Sequence, residues 1–207
     1  MGCTVSALKD KGRTPFLIVN IDGSAKQSVL FYGHMDKQPF GDGWRTSPTD
    51  PVIEGGKLYG RGSSDDCYAL YSAVLAVKAC QAQGLPHPRV VITIEASEEG
   101  GDTDDLVYYM RTYKDSHIGQ VDAIVCLDTS AFVQETLVVS SSLRGGFPFN
   151  LRVAVADENM HSGYSGIVPD PYLVALSLLQ RVCNFETHEV ISEFEVEIPS
   201  HRLAECH

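Results

Sequence analysis

The sequence predicts an α/β domain, with a mostly parallel central sheet and helices on both faces, followed by part of an α+β domain. Three observations carry that expectation. Short apolar, β-branched runs alternate with helical segments up to about residue 140. Runs such as "VLFYGH", "RVVITIE" and "DAIVCL" lead straight into histidine or acidic residues. Beyond them, continuous apolar runs give way to alternating ones, as half-exposed strands would.

"FLIVNI" (16–21) is the first strand, entered from Gly12, and the turn-like "DGSAKQ" separates it from "VLFYGH" (29–34). "GDGW" and "EGGKLYGRGSS" are glycine-rich loops around a short strand. From Tyr68 to Gln83 the chain is rich in alanine and leucine, then Gly84 and Pro86 stop it, predicting a helix that is apolar nearly all round. "RVVITIE" (89–95) is continuous in the manner of a strand covered on both faces. "LVYYMRTYK" supplies the next helix, with Asp102, Asp104 and Asp105 near its N-terminal dipole, and "DAIVCL" (122–127) is a third buried strand ending in Asp128. In the last third, "GGFPFNLRVAVA" and "ISEFEVEI" alternate as strands, and "DPYLVALSLLQRV" is a helix begun by Asp170 and Pro171.

Composition bounds the function. Hydrophobic residues make up 43% and charged residues 21% of the 207-residue chain, as in ordinary globular proteins. With 27 acidic and 16 basic residues the formal charge is −11, which argues against nucleic acid or an anionic membrane surface as partner. There is no long apolar run and no charged-then-apolar leader, so a soluble cytoplasmic protein is the expectation, unless a missing N-terminal segment hides a signal. The six cysteines form no CxxC pair and read as reduced, mostly buried thiols.

Four polar clusters follow strands or glycine-rich turns: "GHMD", "GRGSSDD", "EASEEGG" and "CLDTS". In an open parallel sheet such positions converge on one crevice. Carboxylates gathered there with an imidazole repel one another unless a cation neutralises them. Imidazole with carboxylate suits zinc, with manganese or cobalt as alternatives. Glu98 and Glu99 stand side by side, so one can ligate while the other moves a proton. Metal-assisted hydrolysis wants that arrangement: water made acidic by the cation, with a carboxylate beside it as general base.

The ordered set "GHMD", "DGW", "KLYGRGSSDD", "EASEEGG", "CLDTS" and "MHSG" resembles the M20 family of dinuclear zinc metallopeptidases, over about residues 15 to 182. The resemblance implies a zinc-exopeptidase-like catalytic domain at 1–140 and part of an inserted lid or dimerisation domain at 141–207. It implies two zinc ions, with His34 and Asp128 on one, Asp65 bridging, and Glu99 on the other. Glu98 would be the general base. Asp36 would accept the second ring N–H of His34, and His161 would be the lid histidine that, in dimeric members, reaches the site of a second copy and polarises the scissile carbonyl. Asp66 reads as a helix cap. The implied substrate is a dipeptide, the C-terminal end of a peptide or an N-acyl amino acid.

Two departures stand out. Cys67 and Tyr68 follow the paired aspartates, where family members often have glycine. The family's late C-terminal histidine has no counterpart, and His201 and His207 sit in no matching motif. The chain is therefore expected to be part of such an enzyme, active when intact or incompetent as a fragment.

Overall fold

Alternate residues of the central strands point to opposite faces of one sheet, and a helix lies on each face. The computed structural model describes residues 2–101, 103–128, 136–140, 142–146 and 148–204. The chain divides into two units, Met1–Ser141 and Ser142–His207. The first contains β1 (Cys3–Leu8), β2 (Phe16–Ile21), β3 (Ser28–His34), β4 (Val52–Glu54), β5 (Lys57–Tyr59), α1 (Tyr68–Ala82), β6 (Arg89–Glu95), α2 (Asp104–Thr112) and β7 (Ala123–Cys126).

The main sheet has five strands in the order β1-β2-β6-β3-β7. β3 runs parallel to β6 and β7, β2 antiparallel to β6, and β1 antiparallel to β2. All but β2 therefore point the same way, and the sheet is mostly parallel, as expected. On one face Val19, Ile21, Val90, Ile92 and Ile94 pack on Ala69, Ala73 and Val77 of α1. On the other, Phe16, Ile18, Leu30 and Val91 pack on Tyr109 of α2 and on Ile118. Burying each large side chain contributes roughly 1.5–3 kcal/mol before chain entropy is counted.

Several sequence expectations are corrected. β1 has no counterpart among the strands that the sequence predicts: "CTVSAL" is a weak pattern alone, and pairing along the whole of β2 makes it a strand. α1 buries only the stripe of Ala69, Ala73 and Val77, since a helix lying on a sheet presents one face to it; Tyr71 and Leu75 are 67% and 62% exposed. β7 is not buried: among the described residues it is an edge strand paired with β3 alone, and its Ile124 is 64% exposed. Among the described residues the cysteines are free, but each is exposed or half-buried, Cys126 lying on that edge. The short strand among the glycines is a hairpin, β4 with β5, turned by Gly55 and Gly56 at φ of 58° and 76°.

In the second unit α3 (Pro171–Leu179) starts as the sequence requires, with Pro171 in its first turn and the Asp170 carboxylate accepting the Tyr172 N–H at 2.8 Å. α4 (Ser200–Ala204) carries His201. The two alternating segments form no strands among the described residues; Ser192–Phe194 is a 3₁₀ turn. Alternation alone does not make a strand, which needs a neighbouring ladder for its N–H and C=O groups. No helix among the described residues is long and apolar enough to cross a membrane.

One close contact anchors the site to this frame. A Cβ at Gly33 of β3 would fall 2.4 Å from the Ala69 Cβ and 2.5 Å from Asp66 Oδ2, so only glycine lets α1 approach. Gly33→Ala is expected to destabilise the chain by about 1–3 kcal/mol, the usual cost of overpacking. Urea denaturation measures this, and an unchanged midpoint would contradict the tight packing.

Candidate metal centre

Three parallel strand ends and the start of one helix bring the site together. β3 ends at His34, in register with Glu95 at the end of β6. The Met35 N–H donates to the Glu95 carbonyl at 2.8 Å, so the two chains leave the sheet side by side. After β6 the chain turns through Glu98 and Glu99, closed by the Gly101 N–H on the Glu98 carbonyl at 2.9 Å. Asp128 follows β7, and Asp65 lies just ahead of α1.

The His34 ring is buried, with 1% of the residue exposed. Its Nε2 faces Asp65 Oδ1 at 3.0 Å, Asp128 Oδ1 at 3.6 Å and Glu98 Oε2 at 3.8 Å. Its Nδ1 lies 3.1 Å from the Asp36 main-chain carbonyl and 3.4 Å from Asp36 Oδ1. A carbonyl can only accept, so Nδ1 carries the proton, and in the neutral ring Nε2 turns its lone pair toward the carboxylates. That arrangement is repulsive unless a cation or a second proton lies between.

Proton affinities show the same strain. Burial lowers the His34 pKa, but Asp128, the Asp36 carbonyl and Glu98 outweigh it, and the net value is raised. Glu98 is raised by burial first, with His34 opposing and Asp128, Glu99 and Asp36 adding. Asp128 is raised by burial, against His34 and with Asp65 and Asp66 adding. Each anion is thus held in the company of others, a condition that a divalent cation relieves.

Two trios each bring their donor atoms within 4.8 Å of one another: His34 with Asp65 and Glu99, and His34 with Glu98 and Asp128. The mixed nitrogen and oxygen donors fit zinc, manganese or cobalt. Asp36 Oδ1 is buried without a hydrogen-bond partner and stands behind the imidazole, where its charge makes the ring a more basic ligand.

Asp36 differs from the expectation in one respect. The nearest acceptor for the His34 ring N–H is its carbonyl, while its carboxylate Oδ2 accepts the Glu99 N–H at 2.9 Å. One residue thus fixes both the imidazole and the glutamate turn. Asp66 is fully buried: its Oδ2 accepts the His34 N–H at 3.1 Å and its Oδ1 the Ala69 N–H at 3.3 Å, tying strand end to helix start. His161 belongs to the second unit, where its Nδ1 accepts the Gly163 N–H at 3.0 Å. Its neutral tautomer therefore carries the proton on Nε2. Asp102, Thr129, Ser130 and His207 lie outside the described residues.

Supporting residues that sequence reasoning passed over also gather here. Gln38 donates its amide to Glu99 Oε2 at 2.6 Å and its N–H to Oε1 at 3.3 Å. Glu95, 2% exposed, accepts the Tyr32 hydroxyl at 2.5 Å and the Ser97 hydroxyl at 3.0 Å. The Lys37 ammonium donates to the carbonyls of Asp36 and Asp66. Only the position of Glu95 at a strand end signalled any of these.

The model for peptidase family M20/M25/M40 matches residues 30–205. The chain belongs to this family. Its relatives include the Beta-Ala-His dipeptidase of Rattus norvegicus, 33% identical over 86% of this chain and 37% of that protein. The Cys-Gly metallodipeptidase of Schizosaccharomyces pombe is 30% identical over 76% of this chain and 34% of that protein. The chain thus spans about a third of the length of these curated M20 relatives. Among solved structures, the dipeptidase Dug1p of Saccharomyces cerevisiae superposes with a TM-score of 0.66 at 22% identity, covering 98% of this chain and 47% of that one. An M20 metallo-carboxypeptidase from Sulfolobus solfataricus gives 0.63 at 19% identity, covering 100% and 50%. These two likenesses establish the M20 fold. Family membership implies a metal cofactor.

Proposed function

We propose that the whole protein is a metallopeptidase that hydrolyses the amide bond of dipeptides or releases C-terminal residues. The observation that carries this reading is His34 Nε2, turned toward Asp65, Asp128 and Glu98 at the ends of parallel strands while Nδ1 is held by a carbonyl. The family relatives that act on Beta-Ala-His and Cys-Gly support a small peptide as substrate. They favour it over the N-acyl amino acid that the motifs leave open.

Divalent cations held here, for which we propose two zinc ions, would neutralise the carboxylates and make bound water acidic near neutral pH. The chain's own residues supply the rest. His34, Asp65, Glu99 and Asp128 would hold the metal. Glu98, whose carboxylate is 40% exposed and lies 3.8 Å from His34 Nε2, takes the proton of the attacking water and passes it to the leaving amine. Asp36 holds the His34 ring and the glutamate turn in place. His161, with its proton on Nε2, donates to the oxyanion as it develops, acting at the site of a second copy in a homodimer formed through the second unit.

The test assays the whole protein for metal content and for hydrolysis of Beta-Ala-His, Cys-Gly and N-acetyl amino acids, before and after chelation. Dipeptide cleavage that chelation abolishes and zinc restores is expected. Cleavage indifferent to chelation would reject the metal reading, and cleavage of N-acetyl amino acids alone would move the protein to the deacylases.

A further inference from the structure

Lys37 directly follows Asp36, in a stretch where every other side chain so far described is acidic, neutral or the imidazole itself. Its half-buried chain lies over Gly62, where a Cβ would fall 2.4 Å from the Lys37 Cε and 2.9 Å from its Cδ. Gly62 also has φ +84°, a conformation that favours glycine, so the notch that receives the lysine is built into the turn before Asp65. At the end of that chain Nζ donates to the Asp36 carbonyl at 2.9 Å and to the Asp66 carbonyl. The first of these carbonyls also takes the His34 ring N–H at 3.1 Å. The second belongs to the residue after Asp65, whose carboxylate meets His34 Nε2 at 3.0 Å.

We propose that Lys37 is a positioning residue that ties the turn after β3 to the turn before α1, and so sets the spacing of His34 and Asp65 for a cation. This rests on the metal centre proposed above. Two effects of the ammonium oppose each other. As a positive charge beside the site it repels a cation, so removing it would tighten binding. As the clasp between two ligand-bearing turns it preorganises them, so removing it would loosen binding. Losing a ligand's direct hydrogen-bond partner commonly changes metal affinity by roughly 10–100-fold, and Lys37, which holds the Asp36 carbonyl that is such a partner of His34, is expected at the lower end of that span. The exposed, hydrated surroundings of Asp65 weaken the repulsion, and the clasp dominates.

Co²⁺ titration of the full chain, followed by visible absorption and calorimetry, separates the two. Lys37→Met fills the Gly62 notch without donors, and Lys37→Gln is a shorter neutral variant. Each is expected to bind Co²⁺ roughly tenfold more weakly with an altered spectrum, while Lys37→Arg, which can donate to both carbonyls, recovers most of the affinity. Unchanged or tighter Co²⁺ binding in either neutral variant that folds would overturn the proposal, as would a lower melting temperature of the metal-free protein with no loss of affinity. His34→Ala is titrated alongside. Binding that survives there rejects the metal centre itself, whereas loss there with unchanged binding in the Lys37 variants rejects only the clasp.

Discussion

Glu98→Gln is expected to keep its metal and to lose peptide hydrolysis by roughly 100- to 10,000-fold, the span that general-base catalysis usually covers. The two neighbouring glutamates are not held alike. Both Glu99 carboxylate oxygens are engaged by Gln38, and its N–H is fixed by Asp36. Glu98 lies 3.8 Å from His34 Nε2, too far for a hydrogen bond, and its carboxylate is 40% exposed. It therefore has room to move toward water. In the metal-free chain its proton affinity is raised chiefly by burial, with Asp128, Glu99 and Asp36 adding to this against His34. Glutamine keeps the shape and an acceptor oxygen but cannot take a proton. The same geometry also places Glu98 in a trio with His34 and Asp128. Metal analysis of the variant decides: a protein that loses both metal and activity makes Glu98 a ligand, and full activity removes it from the mechanism.

The sequence was most legible where a segment's fate depends on its own residues. β2, β3 and β6 are continuous apolar runs, β6 β-branched and almost wholly buried, and their pattern announces them. α3 carries its start signal in Asp170 and Pro171. β1 needed the edge of β2, and the alternating segments near 150 and 195 have no ladder among the described residues. The convergence of His34, Asp65, Glu98, Glu99 and Asp128 followed from strand ends gathering at one edge, a property of the fold class. Finer contacts were not legible. That the Asp36 carbonyl, not its carboxylate, lies nearest the imidazole depends on a turn's backbone path. The clasps of Lys37 and Gln38 depend on how two loops distant in sequence approach, and no periodicity encodes that.

His34→Ala is expected to abolish the stabilisation that metal gives the folded chain. A cation that binds the native state alone stabilises it by about 2.7 kcal/mol at a hundredfold excess over its Kd. For a chain of this size that corresponds to a rise in melting temperature of about 5–10 °C. His34 is common to both donor trios, and its loss leaves each with two carboxylates and no nitrogen ligand. The effect should therefore exceed the roughly 10–100-fold change in affinity seen when a ligand's hydrogen-bond partner is removed. The fold itself should survive, because Asp66 holds the main-chain N–H of residue 34, which alanine retains. Without metal the variant should still melt somewhat lower than the unaltered chain. The imidazole lowers the pKa of both Glu98 and Asp128, and without it those carboxylates face one another with less compensation. Calorimetric melting of both proteins with and without zinc checks this: an equal upward shift in the two would place the bound metal elsewhere on the chain.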